Sequence, residues 1–211
     1  MTNLATLLTL SDSRLPTGGH VHSGGVEEAV AEGLVRDLRT LRAFLRRRIR
    51  TTGLVSASIA AAVHTGGLSP TQADRETDAR TPAPAARQAS RAQGRGLVRL
   101  ARRVWPTRDW EMFGTTPHLA VAAGAVGAAS GLEPDQTALT VVYTTMTGSA
   151  TAAQRLLALD PGDVAALTFE LSTLCDQTAT AACKELADLS DPLLDVLAHR
   201  HSQRERPLFA S

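Results

Sequence analysis

Lysine is nearly absent from this sequence: Lys184 is the only one among 22 lysine and arginine side chains. It is followed by Glu185, so no Gly-Lys-Ser/Thr phosphate-binding loop exists, and lysine-based covalent catalysis has no supported candidate. Aromatic residues make up 3% of the chain and β-branched residues are thinly spread, which leaves little material for strands. Cysteine is confined to Cys175 and Cys183. On one helix that spacing is about 12 Å along the axis, too far for a disulfide, so the two read as reduced structural thiols. No stretch of about eighteen uninterrupted apolar residues occurs, and the N-terminal sequence lacks the basic, apolar and small-residue segments of a secretory signal. The expectation is a cytoplasmic protein without a membrane span. A net charge of +1 gives no bulk attraction to nucleic acid.

What the chain does have is alanine, leucine and arginine in helical periodicity. Its 211 residues can bury one sizeable core, and a single domain over 1–211 is expected. Asp37 stands where it can cap a helix whose Leu38, Leu41, Leu45 and Ile49 form an apolar stripe, with Arg39, Arg42, Arg46 and Arg50 elsewhere. Thr52-Gly53 separates it from 54–63, a segment with almost no charge that should be buried on most sides. Ser69-Pro70-Thr71-Gln72 has the spacing of a capping box, with proline at the first helical position. After Pro82 and Pro84 a helix runs to about Val104 and carries Arg87, Arg91, Arg95 and Arg99 as a drifting stripe. Residues 107–116 read as a loop anchored by Trp110 or Phe113. Beyond Pro117, the glycines 124, 127 and 131 would let another helix approach closely. Helices from Pro134 to about Leu159, from Asp163 to about Leu189 and from Pro192 onward complete the expected all-α bundle of about nine helices.

One stretch breaks this pattern: Leu15-Pro16-Thr17-Gly18-Gly19-His20-Val21-His22-Ser23-Gly24-Gly25-Val26-Glu27-Glu28. Glycine costs about 1 kcal/mol and proline about 3 kcal/mol in a helix interior, so this is a shaped loop. It delivers the chain to a helix whose first turn carries Glu27 and Glu28, facing the positive end of the dipole. Further motifs follow: Gly94-Arg95-x-Leu97-x-Arg99-Leu100-Ala101, then Pro117-His118, then Ala152-Ala153-x-Arg155-Leu156, and a tail from His201 that ends Leu208-Phe209-Ala210-Ser211. Together with Leu15, Pro16, Gly18, Gly19, Ser23, Gly25 and Glu27, this ordered set resembles the urease accessory protein UreF family over nearly the whole chain.

The resemblance implies a non-catalytic accessory protein that forms a helical dimer and binds a second accessory protein, UreD (also called UreH). It implies that the pair recruits the nickel-carrying GTPase UreG to apo-urease, modulates its GTPase activity, and promotes GTP-linked nickel insertion into the urease active site. No cofactor would be bound stably; nickel would be in transit. The loop (about 11–25) and the tail (about 200–211) would then be interface elements. The implied partner-binding residues are Leu15, Pro16, Gly18, Gly19, Ser23, Gly25 and Glu27 in the loop, and Arg95, Arg155, His201, Leu208 and Phe209 in helices and tail. Leu208 and Phe209 would be apolar anchors in partner pockets.

His20 and His22 depart from that family, in which these positions are usually aromatic. In an extended segment alternate residues point the same way, so the two imidazoles could share a metal, although two ligands make half a site. Loop packing, transient nickel contact and partner contact all stay open for them. Ser23 lacks the preceding strand of a nucleophile elbow. Two other readings are an α-helical nucleic-acid-binding regulator using the 39–50 helix, and a metal-dependent hydrolase built on His20 and His22. The first has no clear helix-turn-helix signal and the second no visible third ligand. The arginine stripe, with the run Arg46-Arg47-Arg48, reads as a solvated helix face or as a binder of phosphate groups by charge; for Arg95 and Arg155, which sit within the motifs, a buried or interfacial ion pair stays open beside the solvated face, since an arginine fork suits one.

Overall fold

The computed structural model describes residues 4–209, and among them no strand occurs. The helices are α1 Leu4–Leu10, α2 Val26–Ala31, α3 Leu38–Arg48, α4 Leu54–His64, α5 Pro70–Ala79, α6 Pro84–Val104, α7 Leu119–Ala129, α8 Pro134–Leu157, α9 Pro161–Ala182 and α10 Pro192–His201. A π-helical turn over Ile49–Gly53 joins α3 to α4 without interruption, so these segments make nine continuous rods. The break expected at Thr52-Gly53 is therefore a widened turn. The Leu54 amide reaches the Ile49 carbonyl, and a Cβ at Gly53 would lie only 3.1 Å from the Arg48 carbonyl oxygen.

The local signals act as their chemistry requires. Asp37 Oδ1 accepts from the Thr40 amide at 2.7 Å and Thr40 Oγ1 accepts from the Asp37 amide at 3.0 Å. Ser69 and Gln72 form the same reciprocal pair at 3.3 and 3.0 Å. Such a cap is worth about 1 kcal/mol. By contrast, α9 stops at Ala182, short of the expected Leu189. The chain beyond is held as a strap by tertiary bonds: the Ala187 amide donates to Ser58 Oγ at 3.1 Å and Arg80 Nε donates to the Ala187 carbonyl at 2.8 Å.

α8 is the central rod, about 36 Å long, and packs against α2, α3, α4, α7 and α9. Leu41, Leu45 and Ile49 meet Val142 and Met146 of α8 and Leu171 and Cys175 of α9 in the main core. Burial, followed by the nearby Asp176, pushes the Cys175 thiol up to about 11, so it is an inert packing group. A second cluster gathers Leu97, Val98 and Val126 around Trp110, which is the buried anchor of the 107–116 loop. As expected, α4 is buried on most sides.

With few aromatics, the interior is closed by bringing backbones together. A Cβ on Gly124 would lie 2.4 Å from the Ala60 carbonyl oxygen of α4, and one on Gly127 would lie 2.1 Å from Thr137 Oγ1 of α8. Gly131 instead ends α7 in a turn at φ 72. A Cβ on Gly94 would meet the Pro117 carbonyl at 2.1 Å, so two of the sequence motifs touch there. Beside this crossing, fully buried His118 donates from Nε2 to Asp78 at 2.9 Å and accepts at Nδ1 from Ser90 Oγ at 3.0 Å. Arg91 bridges Asp74 and Asp78, both at 2.8 Å. Burial pulls the His118 pKa down against the pull of Asp78, so the imidazole is neutral in this network.

Gly124→Ala is expected to destabilise the chain by about 1–3 kcal/mol through overpacking against α4. Gly148→Ala, in α8 with nothing within 4 Å of the added methyl, should stabilise it by roughly 0.5–1 kcal/mol. Urea unfolding of both variants checks the pair of signs.

Candidate functional site

The first turn of α2 buries Glu27, and its carboxylate gathers the C-terminal tail. Oε1 accepts from the Leu208 amide at 2.8 Å, and Oε2 accepts from the Phe209 amide at 3.0 Å and from His201 Nε2 at 2.8 Å. Burial pushes Glu27 up, but the amides of Leu208 and Phe209 and the His201 imidazole together outweigh it, and the carboxyl titrates below its usual value. Arg204 adds a bond to Glu28 at 3.0 Å, and Arg200 pairs with Glu32 at 2.9 Å. The acidic first turn is thus a clasp for the tail.

The loop that precedes α2 is pinned from three sides. Ser149 Oγ of α8 donates to the Ser23 carbonyl at 3.1 Å, and Arg48 Nη1 donates to the Gly24 carbonyl. On the third side, a Cβ at Gly96 of α6 would lie 3.0 Å from Thr17 Cα. Gly18 stands at φ 78, a conformation that favours glycine, whereas a Cβ on Gly19 would meet only ordinary contacts at 3.6 Å.

Loop, α8 and tail enclose a cleft of about 430 Å³ lined by His20, Val21, Arg155, Leu156, Leu208 and Phe209. Sequence positions far apart therefore share one surface. Leu208 is 79% exposed, while Phe209 is half-buried and packs on the main core. Phe209 thus anchors the tail to its own chain, and Leu208 is the apolar residue presented outward. Ser23, Gly25, Glu27 and His201 are buried, so they shape this surface and do not form its face; Leu15 is half-buried and Pro16 exposed. Arg95 and Arg155 form no buried ion pair among the described residues. Both side chains are exposed because Gly94, Leu97 and Val98 of α6, and Ala152 and Ala153 of α8, turn the opposite faces inward.

The histidine pair also differs from its expected geometry. Gly19–Val21 winds into a 3-10 turn, leaving His20 exposed and His22 half-buried. Burial, then the proximity of His20, pulls the His22 pKa down. The only group of three potential metal ligands among the described residues is Asp74, Asp78 and His118, which Arg91 already neutralises. His20 and His22 have no third such ligand beside them among those residues. The 39–50 helix does not offer a continuous basic face: Arg42 pairs with Glu170 at 2.8 Å, Arg47 with Asp191 at 2.6 Å, and Arg48 turns inward.

The family model described as UreF matches residues 35–172. The chain belongs to the UreF family. It is 78% identical to the urease accessory protein UreF of Mycolicibacterium vanbaalenii, 72% to that of Mycobacterium marinum and 70% to that of Mycobacterium tuberculosis, each over the full length of both chains. None of its helices, among the described residues, is long and apolar enough to cross a membrane.

The part that Arg48, Ser149 and Arg204 play in holding loop and tail in this UreF-family chain was not read from the sequence. Only Arg48 left a signal: it falls seven residues after Leu41 and three after Leu45, on the apolar stripe. Ser149 and Arg204 act over separations that no local pattern encodes.

Because its folded pKa is depressed, Glu27 stabilises the clasp fully above the ordinary carboxylate range and loses that contribution as pH falls through the lowered value. Glu27→Gln, which replaces an acceptor oxygen by a donor, should cost about 2 kcal/mol and raise the tail-open fraction roughly 30-fold. Limited proteolysis after Arg204 should show this at neutral pH. Wild type should become equally labile only in acid.

Proposed function

We propose that this chain is a non-catalytic scaffold of urease maturation that works in the cytoplasm as a homodimer. Together with UreD/UreH it recruits the GTPase UreG to apo-urease, modulates its GTPase activity and promotes GTP-dependent nickel insertion. Nickel is cargo in this reading. The observation that carries it is the clasped tail: Glu27 fixes the backbone at Leu208 and Phe209, so an exposed leucine is held out on ordered chain beside the loop and Arg155. An apolar contact ordered in advance binds a partner at a lower entropic cost. Membership of the UreF family supports the rest. Leu208, Arg155, Pro16 and His20 form the partner-facing set in this proposal, and Leu15, Gly18, Gly19, Ser23, Gly25, Glu27, His201 and Phe209 shape it, with Arg95 on a separate exposed face. His20 and His22 touch nickel only in passing.

Co-expression with UreD and UreG of the same organism, followed by size-exclusion chromatography with and without a GTP analogue and nickel, tests the assembly. Co-elution is expected, and separate elution of well-folded components would overturn the scaffold. Leu208→Asp should weaken the complex by on the order of tenfold or more while leaving the unfolding midpoint unchanged. Truncation after Arg206 should abolish the complex and also lower stability by about 2 kcal/mol or more, through loss of the partly buried Phe209 and of the two amides that Glu27 binds. The double variant His20→Ala, His22→Ala should lower urease activation with assembly intact; equal activation would leave these side chains as loop packing only.

A further inference from the structure

We propose that the chamber beneath the 15–25 loop binds a small free oxyanion through the guanidinium of Arg48. Arg48 Nε is the one buried side-chain nitrogen or oxygen without a hydrogen-bond partner among the described residues. Its Nη1 is used by the Gly24 carbonyl, and Nη2 has no hydrogen-bond partner among those residues. The Nε–Nη2 edge left over is the one that grips a carboxylate or phosphate through two parallel bonds.

No carboxylate of the chain fills this role. Asp191, whose field Arg48 feels, is held by Arg47 at 2.6 Å, by Thr51 Oγ1 at 3.0 Å and by the Leu193 and Leu194 amides. Burial draws the Arg48 pKa down to about 10, which still leaves a cation at neutral pH. Its neighbour Arg47 has a paired anion and Arg48 has none. Arg48 is half-buried with its Nε fully covered, and a charge so placed without a direct partner carries a desolvation cost that an anion brought to it would offset.

The surroundings suit a small guest. The chamber holds about 520 Å³, and Arg48, Thr52 and Ser56 line it at four-residue spacing along the rod that the π turn joins. The Thr52 and Ser56 hydroxyls have no hydrogen-bond partner among the described residues and are free to donate. His22 and Tyr143 line the same space. Gly24 lies against the guanidinium, where a Cβ would come within 2.7 Å of Nη2, so the absence of a side chain there leaves the guanidinium its place beneath the loop. Asp12, Asp191 and Asp195 also border the chamber and select against highly charged guests such as nucleotides.

This inference stands apart from the proposed scaffold role, because its readout is anion binding and not urease activation. The full chain is titrated calorimetrically with inorganic phosphate, bicarbonate and acetate at an ionic strength held constant with sodium chloride. Saturable binding of at least one is expected. It should be weakened on the order of tenfold in Arg48→Lys, which keeps the charge but loses the planar fork, and in Arg48→Gln, and kept in Arg46→Gln on the exposed side. Gly24→Ala, which displaces the guanidinium, should weaken it as well and serves if the Arg48 variants do not fold. The absence of saturable binding by wild type for all three anions, or equal binding by wild type and the displaced or substituted variants, would overturn the proposal.

Discussion

A single buried carboxylate ties the two ends of this chain together. Glu27 lies in the first turn of α2, where the helix dipole favours an anion, and accepts two main-chain amides and an imidazole from the tail. Hydrogen bonds to a charged group are worth about 1.5–3 kcal/mol each, and a buried carboxylate without them would be strongly unfavourable. The tail path, the position of Phe209 on the core and the exposure of Leu208 all depend on that site being filled. The loop stands on the same footing, because its Ser23 and Gly24 carbonyls are held by Ser149 and Arg48 immediately before α2 begins.

The rest of the fold answers a shortage of large side chains. Alanine and glycine fill the crossings of α4, α7 and α8, so the core gains density from close backbones. Arginines then perform the long-range joining that aromatic residues serve elsewhere. Arg47 reaches Asp191, Arg80 reaches the strap at Ala187, and Arg91 closes the Asp74, Asp78 and His118 network. Of the basic stripe on α6, Arg87 and Arg91 are wired to Asp78, while Arg95 and Arg99 stay exposed, as does Arg155 on α8, on sides opposite the small apolar residues.

These two features divide the surface. One end of the bundle presents an apolar residue, an arginine and a histidine on an ordered frame. Behind that frame lies a chamber with a guanidinium that its own chain leaves partly unpaired, and His20, Arg155 and Phe209 border both spaces.

The sequence by itself determined the helices, most of their caps, the shaped loop and the family, because those rest on local periodicity, on capping chemistry within a few residues and on motif order. Glu27, His201, Leu208 and Phe209 all lie in its motifs, but no local pattern says that they meet. Only the tertiary structure decided what they do. Whether a motif residue faces a partner or the chain's own tail depends on contacts across more than 170 positions, as between Glu27 and His201. The same holds for the strap that replaces the end of α9 and for the inward turn of Arg48, in which long-range hydrogen bonds and burial override what local propensity would have chosen.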